Sequence, residues 1–244
     1  MPVIKKHKLI FQHLPKTGGT SICNYFNADT IGHQHMNWYL RHLDEERPDG
    51  WPEQWASFSV LRHPVERFAS AWQMYREMNE NNVRPGWEKF LSIKNKYSKL
   101  FALDNIDDFV ETLCLPTEGE NELFSEPDGY HFWSILSFFA TTKASEIPAG
   151  EVGYVENPNE DDLDFNLPSC VLSYEQLDKD FEDFSKLIGF KNTGLPRKNN
   201  NKTGAGDIVR SMSDVTKSRI RNTFHWDFRI CNTLLVKRHV SLFV

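Results

Sequence analysis

A lysine, two glycines and two hydroxyl residues follow one another closely near the start of the chain, in the segment FQHLPKTGGTSICNYF. Gly18 and Gly19 allow unusual φ angles and a close approach of the backbone. The N–H groups in the first turn of a helix lack intrahelical partners, and the helix dipole attracts negative charge there. Thr20 or Ser21 can cap such a helix or donate a hydroxyl, and Lys16 adds a positive charge. The segment predicts a loop that binds phosphate or sulfate, with an ordinary capped strand–helix turn as the alternative.

The order of the lysine and the glycines argues against a nucleoside triphosphatase. The Walker A loop of such proteins reads GxxxxGK[ST], so its lysine and its magnesium-binding hydroxyl follow the last glycine. Here Lys16 precedes Gly18 and Gly19, and GK[ST] occurs nowhere in the chain. A kinase or ATPase is therefore disfavoured, and this class stays open only as a P-loop kinase with a degenerate loop.

The elements that would hold this loop can be predicted from the apolar pattern. Lys8–Leu14 is predicted to be a strand, in which His13 packs or orients the loop rather than reacting, and Thr20–Phe26 begins a helix. A second strand at Trp55–Leu61 leads into a helix that starts near Pro64, where the missing N–H of proline costs nothing. Apolar residues then recur at helical spacing. The sequence thus predicts two consecutive strand–loop–helix units.

Helices and one more strand follow. The remaining predictions are helices at Glu88–Phe101, Ile106–Leu113 and His131–Ala140, a strand at Ser169–Tyr174, and helices at Glu175–Ile188, Ser213–Phe224 and Asp227–His239. Strands that alternate with helices predict an α/β fold with a doubly wound parallel sheet flanked by helices, and a ligand at the carboxyl ends of the strands. The 244 residues contain no repeats and no long linker, so we expect a single domain over residues 1–244.

The composition limits the class of protein. Its hydrophobic content of 39% with 13% aromatic residues is that of a globular protein. The net charge of −6 argues against a general binder of nucleic acid or anionic membranes. The four cysteines are widely spaced without a CxxC pair, which predicts reduced thiols. Because no apolar run has the length of a membrane span, we expect a cytoplasmic enzyme if the sequence is complete.

Two segments resemble the donor-binding loops of the carbohydrate sulfotransferases of the heparan sulfate 2-O and 6-O type, which use 3′-phosphoadenosine 5′-phosphosulfate (PAPS). Phe11–Ser21, with its PKTGGTS, is similar to their 5′-phosphosulfate loop, in which the lysine also precedes the glycines. Ser59–Tyr75 is similar to their 3′-phosphate segment, in which an arginine ends a strand and a serine follows eight residues later. Arg62 and Ser70 occupy these two places. The resemblance implies a P-loop sulfotransferase-like three-layer sandwich.

The resemblance further implies an O-sulfotransferase that transfers a sulfonyl group from PAPS to a hydroxyl of a carbohydrate or carbohydrate-like acceptor. The N–H groups of Thr17–Ser21 would bind the 5′-phosphosulfate, and Lys16 would stabilise the charge on the departing phosphate. Arg62 would bind the 3′-phosphate as a fork and Ser70 through its hydroxyl. The alternatives are a surface salt bridge between Arg62 and Glu66, and a serine that is only a small residue on a packed helix.

The acceptor hydroxyl must lose a proton, and histidine titrates nearest neutrality. The segment GHQHMNW is similar to the HxH segments that carry the base in glycosaminoglycan O-sulfotransferases. That alignment makes His35 the predicted base and His33 a supporting residue. Other relatives use a glutamate, so the acidic residues Asp44, Glu45 and Glu46 remain candidates. Two histidines without a third ligand make a poor metal site, and we expect no metal. Incidental histidines in an exposed loop are the remaining interpretation.

The segment LPRKNNNKTGAGD resembles, in position and composition, the late loop that folds over the nucleotide in this family. This assigns Lys198 to donor binding, with Arg197 and Lys202 beside it, although a solvated surface loop explains these residues equally well. The saccharide or small-molecule acceptor would be bound by variable loops, here Asn27–Glu53 and Asn79–Leu103. A non-catalytic nucleotide-binding protein of the same fold stays open as an alternative, as does the oligomeric state.

Overall fold

A computed structural model describes residues 3–28, 55–81, 83, 87–114, 131–132, 135–139, 168–196 and 204–241. These residues form a mixed α/β structure around a four-stranded sheet. Its strands are β1 Val3–Ile4, β2 Leu9–Gln12, β3 Ala56–Leu61 and β4 Cys170–Ser173. The rest of the described chain is mainly helical.

The sheet has the strand order β1-β2-β3-β4. The strands β2, β3 and β4 are parallel, with Phe11 opposite Phe58 and Phe58 opposite Cys170, whereas the short edge strand β1 runs antiparallel to β2. Because parallel strands end at the same edge of a sheet, the residues that follow Gln12, Leu61 and Ser173 all emerge together.

The helices are amphipathic or buried segments that lie on this sheet and beside it. They are α1 Gly19–Tyr25, α2 Pro64–Glu77, α3 Glu88–Lys96, α4 Ser98–Phe101, α5 Ile106–Cys114, α6 Leu136–Phe139, α7 Leu177–Ile188, α8 Ala205–Ser211, α9 Asp214–Thr223 and α10 His225–Ser241, with 3₁₀ turns at Lys5–His7 and Tyr174–Gln176. No helix within the described ranges is both long and apolar enough to cross a membrane.

Helices cover both faces of the sheet. Val60 and Leu172 belong to one buried cluster with Phe181 of α7. The neighbouring strand residue Leu61 belongs to a different buried cluster with Ile230 of α10. Successive side chains of a strand point to opposite faces, so α7 and α10 lie on opposite sides of the sheet. The predicted arrangement of a sheet between helices is confirmed, while its description as doubly wound stays a prediction.

A third buried cluster surrounds α2. Phe68, Trp72 and Tyr75 of this helix are at most 4% exposed and pack with residues of α3, α4, α5, α8 and α9. The ring of Tyr75 stacks on that of Phe101, with 5.0 Å between the centroids. This packing gives α2 one fixed orientation. It thereby fixes every residue on the helix, including Ser70.

A buried ion pair connects α2 to α10. A terminal nitrogen of Arg67 lies 3.3 Å from a carboxylate oxygen of Asp227, and the two side chains are 2% and 0% exposed. Arg67 also donates to the carbonyl of His131, and Asp227 accepts from the backbone N–H of Ile135. Burial lowers the pKa of Arg67, and the Asp227 carboxylate opposes that shift. Arg67 is thus a structural residue that ties three segments together.

Most predicted elements are confirmed with slightly different bounds, but two were missed and one was divided. The predicted helix over Glu88–Phe101 is interrupted at Tyr97, because the backbone there leaves the helical conformation. The two-residue strand β1 is too short to give a pattern. The helix α8 starts inside a stretch predicted to be a loop, because burial of Ala205 and Ile208 outweighs the poor helix propensity of its glycine-rich start. Within the predicted helix His131–Ala140, the described residues are helical over Leu136–Phe139.

Candidate active site

The candidate site lies at the edge of the sheet where the three parallel strands end. The loop His13–Gly18 follows β2 and leads into α1, and Arg62 and His63 follow β3 and lead into α2. The turn Tyr174–Gln176 follows β4 and leads into α7. Three segments that are far apart in the sequence are therefore neighbours, as a parallel sheet requires.

The loop after β2 is bent by two residues in the left-handed region. Lys16 has a φ of 66° and Gly18 a φ of 83°. Between them Thr17 is fully buried, and its hydroxyl donates to the carbonyl of Leu14 at 2.9 Å. The hydroxyl of Thr17 thus stabilises the loop itself, which leaves the backbone of Thr17 as the part that a ligand could use.

The helix α1 begins without a side-chain cap. Its N-cap is Gly18, so Thr20 and Ser21 lie inside the first turn rather than before it. The interpretation that one of them caps the helix is therefore wrong, since the left-handed glycine takes that position. The N–H of Ser21 donates to the carbonyl of Gly18 at 3.0 Å. The first-turn N–H groups of Gly19 and Thr20 and the two half-buried hydroxyls are the donors that an anion would meet.

Gly19 is required by the approach of His13. A Cβ atom at position 19 would lie 1.8 Å from Nε2 of His13, far inside any allowed contact. His13 is 8% exposed, and its ring stacks on Phe11 with 5.4 Å between centroids. His13 therefore packs under the first turn of α1 and supports the loop, as the sequence predicts.

Arg62 links the loop after β3 to the loop after β2. One of its terminal nitrogens donates to the carbonyl of Lys16 at 3.3 Å, and the other lies 3.4 Å from a carboxylate oxygen of Glu66. Its Cζ atom lies 4.1 Å from the centre of the Tyr174 ring. The ion pair between Arg62 and Glu66 that the sequence left as an alternative is therefore present, although Arg62 is 6% exposed and so buried rather than at the surface.

The turn after β4 is held to the same edge by Glu175. One oxygen of its carboxylate accepts from the backbone N–H of His63 at 2.9 Å, and the other accepts from the hydroxyl of Ser173 at 2.7 Å. The backbone N–H of Ser173 donates to Asp180 of α7. These bonds join the end of β4 to the start of α2, so the three loops form one hydrogen-bonded edge.

Cys23, Cys170 and Cys231 are free thiols, as predicted. Burial raises the pKa of Cys23 to about 11 and that of Cys231 to about 12, so both stay protonated near neutral pH. Among the described residues, no group of three or more histidine, cysteine or acidic side chains could hold a metal ion. The expectation of a metal-free reaction stays a prediction.

Comparison with known protein families shows to which family this chain belongs. The family described as the sulfotransferase family matches residues 1–232, which is nearly the whole chain. This chain belongs to the sulfotransferase family. No curated protein and no solved structure gives a significant match. The match supports sulfotransfer and therefore favours that class over a kinase with a degenerate loop.

The structure brings together only part of the residues that the sequence assigns to this sulfotransferase site. Lys16 and Arg62 meet through the bond between the guanidinium and the Lys16 carbonyl. Ser70 lies on α2 and is 8% exposed. His33, His35 and Lys198 lie outside the described residues, and so do the acidic candidates Asp44, Glu45 and Glu46.

Sequence reasoning missed Tyr174 and Glu175 as parts of the site. Tyr174 is the last residue of the predicted strand Ser169–Tyr174 and Glu175 follows it, and their place at the carboxyl end of a third parallel strand was the available signal. The expectation that a ligand binds at the carboxyl ends of the strands could have singled them out. Their contacts with Arg62 and His63 became visible only in the folded chain.

Proposed function

We propose that this member of the sulfotransferase family transfers a sulfonyl group from PAPS to a hydroxyl of a carbohydrate or carbohydrate-like acceptor. The observation that carries the proposal is the buried guanidinium of Arg62, which is bonded to the carbonyl of Lys16. It supports a site in which a 5′-loop and a 3′-arginine act on one donor. We also infer one domain over residues 1–244 with the doubly wound P-loop arrangement.

The described residues fit a ligand with two anionic groups. At one position, Gly19 lets the backbone come close, and Lys16 supplies a half-buried positive charge. At the other, the buried Nε of Arg62 has no acceptor among the described residues. Lys16 and the N–H groups of Thr17–Thr20 would hold the 5′-phosphosulfate. Arg62 and Ser70 would hold the 3′-phosphate.

Lys198 would add a further positive charge to the donor site, and the first-turn hydroxyl of Ser21 would add a hydrogen bond. Both assignments follow from the resemblance of their segments to the donor loops of the family. They extend the proposal beyond the contacts of Lys16 and Arg62, on which it chiefly rests.

When bound, PAPS supplies an activated sulfonyl group. The reaction requires three further contributions, which come from the chain. Lys16 places positive charge where the departing phosphate becomes more negative, which stabilises the transition state more than the ground state. His35 accepts the proton of the acceptor hydroxyl, with His33 supporting it. The two anion loops, which are His13–Gly18 after β2 and Arg62–His63 after β3, hold the donor in line with the acceptor. No metal is needed, because a sulfonyl group carries less charge than a phosphoryl group.

Thermal melting with three nucleotides tests the proposal. A ligand that binds only the native state raises the melting temperature by mass action. We expect adenosine 3′,5′-bisphosphate to raise it clearly, and AMP to raise it less because AMP lacks the 3′-phosphate. A shift with ATP and magnesium but none with the bisphosphate would instead favour the kinase. Binding of the bisphosphate without transfer to any of a panel of hydroxyl acceptors would favour the non-catalytic alternative.

Replacement of His35 separates the base from donor binding. We expect His35→Ala to lower turnover by about 10²–10⁴-fold, the usual contribution of a general base. The melting shift with the bisphosphate should persist because the anion loops are unchanged. The matched control is His225→Ala, since His225 is exposed at the start of α10. Unchanged turnover in His35→Ala would show that His35 is not the base and would leave Asp44, Glu45 and Glu46 as the candidates.

A further inference from the structure

One aromatic ring contacts both anion loops. Tyr174 is the first residue after β4 and is half-buried. The guanidinium carbon of Arg62 lies 4.1 Å from the centre of its ring. A Cβ atom built on Gly18 would lie 3.2 Å from Cε2 of the same ring, so the ring also lies against the loop after β2. No other described aromatic ring is in cation–π contact with Arg62.

The Tyr174 ring supports Arg62 beside two long hydrogen bonds. These bonds of Arg62, to the Lys16 carbonyl and to Glu66, measure 3.3 and 3.4 Å, which is long for N–H···O bonds. A guanidinium that stacks on an aromatic face keeps the N–H groups along its edge available for an anion. Stacking on Tyr174 therefore orients Arg62 without using the donors that a phosphate needs.

The backbone turn that carries the Tyr174 ring is held in place by hydrogen bonds. Glu175, the next residue, accepts hydrogen bonds from the backbone N–H of His63 and from the hydroxyl of Ser173. His63 directly follows Arg62 in the chain, so the backbone of this arginine is tied to the turn that carries Tyr174. The side chain and the backbone of the arginine loop are thus both held by the end of β4.

We propose that Tyr174 is a positioning residue that holds Arg62 and the loop at Gly18 at a fixed separation, so that both anionic ends of one donor are bound together. This inference rests on the proposed function. The ring acts through Arg62, and the phenolic hydroxyl is not needed for this effect.

The binding test compares Tyr174→Leu, which removes the ring, with Tyr174→Phe, which keeps it. By calorimetry with adenosine 3′,5′-bisphosphate, we expect Tyr174→Leu to weaken binding about tenfold, the size of a well-packed cation–π contact. Tyr174→Phe should restore affinity to within about twofold of the original. In an Arg62→Ala background, Tyr174→Leu should have little further effect, because the two residues act as one unit.

Two binding results would overturn the inference. An equal loss in Tyr174→Phe and Tyr174→Leu would mean that the hydroxyl itself contacts the ligand. A loss that is undiminished in the Arg62→Ala background would mean that Tyr174 does not act through Arg62. If Tyr174→Leu fails to fold, weaker binding in Tyr174→Phe alone still overturns the inference, because Tyr174→Phe keeps the ring.

A measurement on the ligand-free protein separates this inference from the proposed function. Nε of Arg62 is bonded to Cζ, which lies 4.1 Å from the centre of the Tyr174 ring, so the NMR signal of the Nε–H proton should be shifted by the ring current and show contacts to the ring protons. The ring-current shift of this signal should persist in Tyr174→Phe and disappear in Tyr174→Leu. If the original protein binds no bisphosphate, the proposed function fails, whereas an Arg62 signal with no ring contacts overturns the positioning role alone.

Discussion

Lys16→Ala should lower the rate of sulfonyl transfer by about 10²–10³-fold, comparable to the loss of one preorganised donor at a developing oxyanion. Lys16 lies in the loop between β2 and α1, where a phosphate gains negative charge as the sulfonyl group departs. Since that charge is larger in the transition state than in the bound donor, turnover should fall more than affinity for the bisphosphate. The measurements are kcat with PAPS and an accepted hydroxyl compound, and the bisphosphate dissociation constant.

The substitution should leave the fold intact. Lys16 has a left-handed φ of 66°, and alanine tolerates that region no worse than lysine does. Lys8 is the matched control because it is an exposed lysine with a φ of 51°, at the opposite end of β2. Lys8→Ala should therefore match Lys16→Ala in melting temperature while keeping its activity. A near-normal rate in Lys16→Ala would remove this lysine from the mechanism.

Gly19→Ala should disturb both stability and donor binding. The added methyl group would lie 1.8 Å from Nε2 and 1.9 Å from Cδ2 of His13, so the ring or the loop must move. The ring cannot move freely, because it is buried and stacked on Phe11. Overpacking of this kind costs about 1–3 kcal/mol in the free energy of unfolding. Denaturant unfolding should show that loss, and the melting shift with the bisphosphate should disappear because the first turn of α1 is displaced.

Two further variants test whether the clash with His13 causes the loss of stability in Gly19→Ala. Gly206 lies in the first turn of α8, and a Cβ atom there would meet only the flexible end of Arg210 at 3.5 Å. Gly206→Ala should be neutral or stabilising by about 0.5–1 kcal/mol, since alanine favours helices. In a His13→Ala background, Gly19→Ala should cost much less than in the original protein. Equal stability of Gly19→Ala and the original protein would show that the loop adapts without strain.

Long elements with a regular apolar pattern were predictable from the sequence. The strand β3 and the helix α2 came within a residue of their predicted starts, because Pro64 and the repeated apolar side chains reflect burial directly. Short elements such as β1 and α4 were not predicted as separate elements, because two to four residues are too few to show a periodic apolar pattern. The helix α8 was missed because its stability comes from packing on α2, which local propensity does not report.

The sequence by itself was enough to predict an anion-binding site of the sulfotransferase kind. The order of Lys16 and the glycines excluded a standard Walker A loop, and the resemblance of Ser59–Tyr75 to the family's 3′-phosphate segment implied a second anion position at Arg62 and Ser70. Both conclusions depend on residues that are close together in the chain, so local order was enough to reach them. The assignment to the sulfotransferase family then agreed with this interpretation.

Only the tertiary structure decided how these parts meet. Arg62 bonds to the carbonyl of Lys16 across 46 positions of the chain, and Glu175 reaches the backbone of His63 across 112. The close contact of His13 with Gly19 and the stacking of Arg62 on Tyr174 likewise left no mark in the local pattern. The physical reason is the parallel sheet, which brings the carboxyl ends of its strands to one edge whatever the length of chain between them.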